Sequence, residues 1–151
     1  ELLDEVSSLY DFRILSTGMS TEPEIEEAVF RLNPHVLMHT NSVYPTPVSD
    51  LKLGYIRWLQ DKYGARDTGY SNHYYGAKAI YAALGMGVSW IEFHITEDHT
   101  LWGSDQTASI EPHGVFEITK AVRDFEEVVT DGYGPRSVFP GEDKKRKALR
   151  G

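Results

Sequence analysis

The 151-residue sequence contains no cysteine. That excludes disulfide staples and thiolate metal sites, and it fits a reducing cytoplasm, the compartment expected for the chain. No apolar run approaches the ~18 residues that a membrane-spanning helix requires. The opening residues, Glu1-Leu2-Leu3-Asp4, have no basic n-region and do not read as a signal peptide. No methionine precedes them, and the expectation is that Glu1 is an internal position of a longer chain. Positive charge is in deficit: 15 Lys and Arg against 23 Asp and Glu give a net charge of −8. Such a chain is a poor non-specific binder of nucleic acid or anionic membrane. There is no G-x-G-x-x-G turn, the main signature of dinucleotide binding. Internal repeats and low-complexity tracts are missing as well.

What is present is ordinary material for one domain: 40% hydrophobic and 25% charged residues, enough to build a core. Short apolar runs alternate with helical patterns, the mark of parallel βα units. Arg13 to Thr17 reads as a buried strand ended by Gly18. Thr21-Glu22-Pro23-Glu24 then has capping-box spacing with proline in the first turn. Ile25, Ala28, Val29 and Leu32 follow at i, i+3, i+4, i+7, an amphipathic helix. His35 to His39 is the second strand. Tyr44-Pro45-Thr46-Pro47 is a loop, because each proline forces its predecessor out of helical geometry. Leu53, Ile56 and Leu59 mark a helix stopped at Gly64. Asp67 to Ser71 is the third strand, followed by an Ala-rich helix from Ala77 to Leu84, closed by Gly85 and Gly87. Val88 to Ile95 is the fourth strand. After a long loop from Thr96 to Pro112, Val115, Ile118, Val122, Phe125 and Val129 form the stripe of a last helix. The basic run Lys144-Lys145-Arg146-Lys147 reads as a solvated linker rather than a nucleic-acid patch.

Four βα units suit either an open doubly wound sheet or half of a (β/α)8 TIM barrel. The polar residues favour the barrel. Each strand leads into small polar or ligand-type residues: Ser16-Thr17, His39-Thr40-Asn41-Ser42, Ser71-Asn72-His73 and Glu92-Phe93-His94. Several strand ends converging on one mouth is how a barrel assembles a site.

His73 and His94 follow consecutive strands, which lie ~4.8 Å apart. Two inward imidazoles there can share one divalent cation, and neutral imidazole suits Mn, Fe, Co or Zn better than Mg or Ca. The bland alternative is a pair of core histidines bonded to carbonyls. A single histidine favours that alternative, but two at matching strand ends favour the ligand reading. His39 is a third candidate. His35, His99 and His113 read as loop or surface histidines. A catalytic divalent ion also calls for a carboxylate. Glu92 shares the face of His94 but sits a layer deeper, a weaker candidate than a carboxylate from another strand. Asp105, on the long loop, is either an Asx-turn residue or a carboxylate folded over the mouth. Tyr44 is either part of a stiff loop or a wall for a polar substrate.

Taken in order, several segments resemble the sialic acid (N-acetylneuraminate) synthase family. They are Leu15-Ser16-Thr17-Gly18-Met19, Tyr44-Pro45-Thr46-Pro47, Gly69-Tyr70-Ser71-Asn72-His73, Ala83-Leu84-Gly85, Ile91 to Thr96, and Gly103 to Pro112. The resemblance runs to about Val129. It implies four βα units equivalent to strands 5–8 of the barrel over residues 1–131, with 132–151 as a linker toward an absent C-terminal domain. It further implies that His73 and His94 are metal ligands, with manganese the expected ion and magnesium or cobalt as alternatives. By the same resemblance Ser16, Ser42 and Ser71 contact phosphoenolpyruvate, and Tyr44 and Asp105 contact an amino sugar. Three positions depart from the family pattern: Asn72 where Asp or Gly is usual, Gln106 where His is usual, and Ser42 where Asn is common.

That resemblance implies a transferase joining phosphoenolpyruvate to an N-acylated amino sugar such as N-acetylmannosamine. Phosphoenolpyruvate is a dense anion and needs Lys or Arg to hold it, yet no strand end here supplies one. The expectation is that the cations and the remaining metal ligand come from outside these residues. The chain would then pair with the missing half barrel or with a second copy as a homodimer. The competing reading is a catalytically inactive barrel fragment retained as a binding or assembly module. A Schiff-base aldolase is disfavoured, because it needs a strand-end Lys.

Overall fold

The computed structural model describes residues 1–64, 66–128 and 137–150. Among the described residues helices and strands alternate as far as α5, and a sixth helix follows: α1 (Leu2–Leu9), β1 (Ile14–Ser16), α2 (Glu22–Leu32), β2 (Val36–Thr40), α3 (Gly54–Tyr63), β3 (Asp67–Asn72), α4 (Lys78–Gly85), β4 (Trp90–Phe93), α5 (Pro112–Val128) and α6 (Asp143–Arg150). The strands form one sheet in the order β1-β2-β3-β4, every pair parallel. A doubly wound sheet reverses its strand order at a switch point. No reversal occurs here, so the arrangement is that of consecutive barrel units.

Local chemistry explains the elements. Helix α2 starts at Thr21, whose backbone N–H and hydroxyl both donate to the Glu24 carboxylate, at 2.7 and 2.6 Å. It ends at Asn33 in the left-handed conformation (φ 44°), a C-cap role Asn tolerates. Between the caps Ile25, Val29 and Leu32 are buried, each contributing roughly 1.5–3 kcal/mol of apolar transfer. Ile25 and Val29 meet Leu37 and Leu59 in one core cluster. A second cluster joins Ile56, Tyr70, Ile80, Ala83, Val88, Ile110 and Ile118 between α3, β3, α4 and α5. Leu37 and Tyr70 therefore face the helices, and by the period of two Met38, Gly69 and Ser71 face the opposite, inner side.

Register builds the inner side in layers. Ser16, Met38, Gly69 and Trp90 are aligned, and Thr40, Ser71 and Glu92 form the next layer toward the strand C-termini. On the central strands the inner residues Val36, Met38, Gly69 and Ser71 are buried, whereas on the edge strands Ile14 is 46% and Trp90 38% accessible.

Some sequence-based expectations shift. Helix α1 was not anticipated; it packs on α2 and is tied to it by the ion pair Arg31–Asp4, at 2.5 Å. The pair holds the Asp4 carboxyl well down, at about 2. The fourth strand spans only Trp90–Phe93, and the chain beyond it is held by a parallel bridge, Ile95 to Ile110. Gly64 follows α3 in a right-handed conformation, not the left-handed one of a glycine cap. The basic tail is helical over Asp143–Arg150, though wholly exposed, so it is solvated but not irregular. Val129, expected on the stripe of α5, lies outside the described residues, as do 130–131 and, of the expected linker, 132–136 and 151.

Gly69 is required by packing. A Cβ there would lie 2.1 Å from Met38 Sδ and 2.8 Å from Trp90 Cβ. The thioether can swing away, but the Trp90 Cβ moves only with its strand. Gly69→Ala is expected to destabilise the fold by about 1–3 kcal/mol, an overpacking cost. A urea-unfolding midpoint equal to the wild type's would refute this.

Candidate active site at the strand C-termini

β3 and β4 end with His73 and His94, one residue past Asn72 and Phe93. Their backbones are fixed by the loops beside them: His73 O accepts from Thr46 N at 2.8 Å, and His94 O from Ile110 N at 2.7 Å. The imidazoles stand perpendicular with centroids 5.6 Å apart. Between them sits the phenol of Tyr44, from the Pro-framed loop after β2. Its hydroxyl lies 2.6 Å from His73 Nε2 and 2.9 Å from His94 Nε2, and its ring stacks on His73 at 4.0 Å.

Proton logic assigns the tautomers. His73 Nδ1 is 2.6 Å from the carbonyl oxygen of Asn41. A carbonyl only accepts, so Nδ1 carries the proton and Nε2 presents its lone pair to the Tyr44 hydroxyl. Tyr44 has one proton to give, so His94 must donate from Nε2 back to the phenol oxygen. The Tyr44 phenol is pushed up by burial and then by the charges of Asp105 and Glu92, and it stays protonated near neutral pH. His94 Nδ1 faces Asp105 Oδ2 at 3.8 Å.

These features fit a metal's first two ligands. Both Nε2 atoms address one point. His73 is locked by a carbonyl, the outer arrangement that orients metal-bound imidazoles, whereas His94 in the assigned tautomer carries its proton on Nε2 and becomes a ligand only when that proton leaves. Should the His94 proton move to Nδ1, Asp105 lies beside it. Two neutral nitrogens suit a borderline divalent ion. Among the described residues, however, no group of three or more His, Asp or Glu side chains is placed to hold one. The donor set supplied here is a pair.

The other expected residues divide. Ser71 is buried and donates to the Glu92 carboxylate, with its hydroxyl 3.5 Å from His73 Nε2. Glu92 thus finds its partner within the sheet, below the histidines. Asp105 reaches His94 because its loop folds back: its carbonyl accepts from Ala108 N, Ser109 N and Ser109 Oγ. Ser16 ends β1 and Ser42 lies in the loop after β2; among the described residues neither bonds to the histidine pair. His39 is a core histidine on the helix side, its Nε2 2.8 Å from Leu51 O. That outcome follows from strand parity, which puts residue 39 opposite Met38 and Thr40.

Two participants had no signal in the sequence. The Asn41 carbonyl is a backbone atom, invisible in side-chain patterns. His99, expected as a loop histidine, ties the long loop together. Its Nε2 lies 2.8 Å from Ser109 O and its Nδ1 3.2 Å from Glu111 Oε1.

Consecutive parallel βα units in unbroken order are the arrangement of a barrel-type fold, and the paired histidines lie at the strand C-termini, the end where such folds carry their sites. The chain belongs to the NeuB family, which matches residues 1–133. It is 33% identical over 137 residues to the N,N'-diacetyllegionaminic acid synthase of Campylobacter jejuni, covering 86% of this chain and 41% of that protein. It is 34% identical over 114 residues to the N-acetylneuraminate-9-phosphate synthase of Homo sapiens, covering 73% of this chain and 32% of that one. Among solved structures, it superposes on the N-acetylneuraminic acid (sialic acid) synthetase of Leptospira borgpetersenii with a TM-score of 0.85 and 31% identity. That match covers 99% of this chain and 54% of the other. The chain thus spans about two fifths of the C. jejuni relative's length. Its relatives are acid synthases of carbohydrate biosynthesis, and its fold is theirs.

His39 yields a pH prediction. Burial pushes its imidazole below the ordinary 6.5, only partly offset by Leu51 O. The unfolded chain takes up this proton near 6.5 while the folded one stays neutral, so stability falls as pH drops below about 6.5 toward the lowered folded value. His39→Gln is expected to flatten the slope of the unfolding midpoint between pH 7 and 5. An unchanged slope would exclude His39 as its source.

Proposed function

We propose that the chain carries the metal- and sugar-facing side of a nonulosonic acid synthase. The reaction joins phosphoenolpyruvate to an N-acylated amino sugar such as N-acetylmannosamine, takes up water and releases phosphate. The observation that carries this reading is the convergence of His73 Nε2 and His94 Nε2 on one oxygen, at 2.6 and 2.9 Å, in a chain of this family.

His73 and His94 would hold a divalent ion, manganese by preference, with Tyr44 yielding its place between them. When bound, such an ion supplies Lewis acidity to the sugar's carbonyl oxygen. Tyr44 and Asp105 flank the pair and orient the sugar through hydroxyl contacts. Asp105 also backs His94, so sugar binding and ligand orientation share one carboxylate. Ser71, held by Glu92, and Ser16 and Ser42 offer neutral contacts to phosphoenolpyruvate. In the overall chemistry C3 of phosphoenolpyruvate bonds to the aldehyde carbon, water adds at C2, and phosphate departs by C–O cleavage.

Ser16, Ser42 and Ser71 cannot neutralise a phosphate and a carboxylate. The cations must come from another segment or another subunit, which is the partner role we assign to the remainder of the barrel or to a second copy. The same lack of cations favours a second reading, a binding or assembly module without turnover.

Manganese titration followed by electron paramagnetic resonance separates them. Saturable binding is expected, weakened at least about tenfold in His73→Ala and in His94→Ala, since each removes a ligand. Binding indifferent to both substitutions would overturn the metal assignment. The chain alone is expected to form no nonulosonate from phosphoenolpyruvate and N-acetylmannosamine. Product formation would refute the claim that its phosphate-holding cations lie elsewhere.

A further inference from the structure

A cavity of about 590 Å³ lies between the loops after β1 and β2 and the facing sides of α2 and α3. It adjoins the mouth, with Thr17, His39, Thr40, Asn41 and Ser42 of the first two strand ends in its wall, but Tyr44, Ser71, His73, His94 and Asp105 do not line it. Its volume is within the range of small-molecule sites. Met19, Glu22, Asp50, Lys52, Tyr55 and Trp58 are among the residues that line it.

Two features set this cavity apart from a packing gap. The first is backbone conformation. Among the described residues three non-glycines have positive φ: Met19 (58°), Asn33 (44°) and Lys52 (44°). Asn33 caps α2, an ordinary use. Met19 and Lys52 are bulky residues with no such excuse, and both line this cavity. Unfavourable conformations of this kind persist where surrounding structure enforces them, and they cluster at ligand sites. The second feature is connection. Asn41 Nδ2 donates to Asp50 O at 3.1 Å, while the Asn41 carbonyl accepts from His73 Nδ1 at 2.6 Å. One residue thus joins the cavity wall to the active-site imidazole.

The lining selects a ligand class. Tyr55 and Trp58 stand edge to face, 5.9 Å apart, an aromatic wall for the C–H face of a ring. Glu22 and Asp50 are acceptors for hydroxyl or amide protons. Two carboxylates against the single Lys52 leave the wall net negative, which repels phosphoenolpyruvate or an acidic sugar product. We propose that this cavity is a second binding site, for a neutral sugar, that communicates with His73 through Asn41. It does not depend on the reaction assigned to the mouth.

The test is tryptophan fluorescence of the full chain titrated with N-acetylmannosamine, in Trp102→Phe to remove the fully exposed Trp102. A saturable change is expected. It should vanish in Trp58→Phe, weaken at least about fivefold in Asp50→Asn, and persist in Asp105→Ala, which disables the mouth's sugar contact. No saturable change, equal affinity in Asp50→Asn, or phosphoenolpyruvate binding here as tightly would overturn the site. A response lost in Asp105→Ala but intact in Asp50→Asn would place the sugar at the mouth and overturn it too. For the coupling, the sugar at saturation is expected to shift the ¹⁵N resonances of His73, and Asn41→Ala to abolish that shift even where fluorescence shows the site filled. A His73 shift that survives Asn41→Ala would refute the route.

Discussion

Everything at the mouth depends on the register of three parallel strands. Thr40, Ser71 and Glu92 are aligned, so the residues two positions beyond Ser71 and Glu92 emerge at one level and on one face. Those residues are His73 and His94. Side-chain direction has a period of two, so a one-residue slip of β3 would turn His73 toward the helices and bring Asn72 inward. The buried Tyr70, packed against Ile56 and Ile80, opposes that slip, because its ring would have to enter the inner layer beside Met38. The hydrophobic core on the helix side therefore fixes the polar geometry on the other.

Register places the histidines but does not aim them. Aim comes from hydrogen bonds of fixed direction. The Asn41 carbonyl admits one tautomer of His73, and Tyr44 then admits one arrangement of His94. These constraints run through β2, β3, β4 and two loops, so the geometry of the pair is a product of tertiary structure. Tyr44 serves two purposes in it: its hydroxyl satisfies both nitrogens, and its stacked ring limits rotation of His73. The divalent ion of the proposed function would compete with that hydroxyl, yet the rings it would meet are already oriented, which lowers the ordering cost of binding.

Much of this was legible in the sequence, for identifiable reasons. The capping box at Thr21 and the stripe Ile25–Val29–Leu32 are local patterns, and the structure follows them. The two histidines were legible because strand-end position is a short-range property. His39 was ambiguous until strand parity was known, since moving the end of β2 by one residue decides which way it faces. Helix α1 escaped because Leu2, Val6 and Leu9 make a short stripe with no buried residue; its place is set by Arg31 and Asp4, 27 residues apart. The Asn41 carbonyl and the His99 tie were out of reach in principle, as they depend on where backbone atoms meet in space.

Positioning and environment are distinct contributions to a site, and this chain separates them. It holds Tyr44, His73, His94 and Asp105 in place with its own bonds. It does not close the inner face of its edge strands, where Ile14 and Trp90 remain accessible. Electrostatic stabilisation of a transition state is strong where water is excluded and weak where it is not. An orienting carboxylate such as Asp105, 45% exposed, therefore acts at a discount until the inner face is covered. On the proposed reading, whatever covers it would bring apolar surface for Ile14 and Trp90, and positive charge for an anionic substrate. Those two demands would fall on one surface, so under the proposed function water exclusion and anion binding at this mouth would arise together.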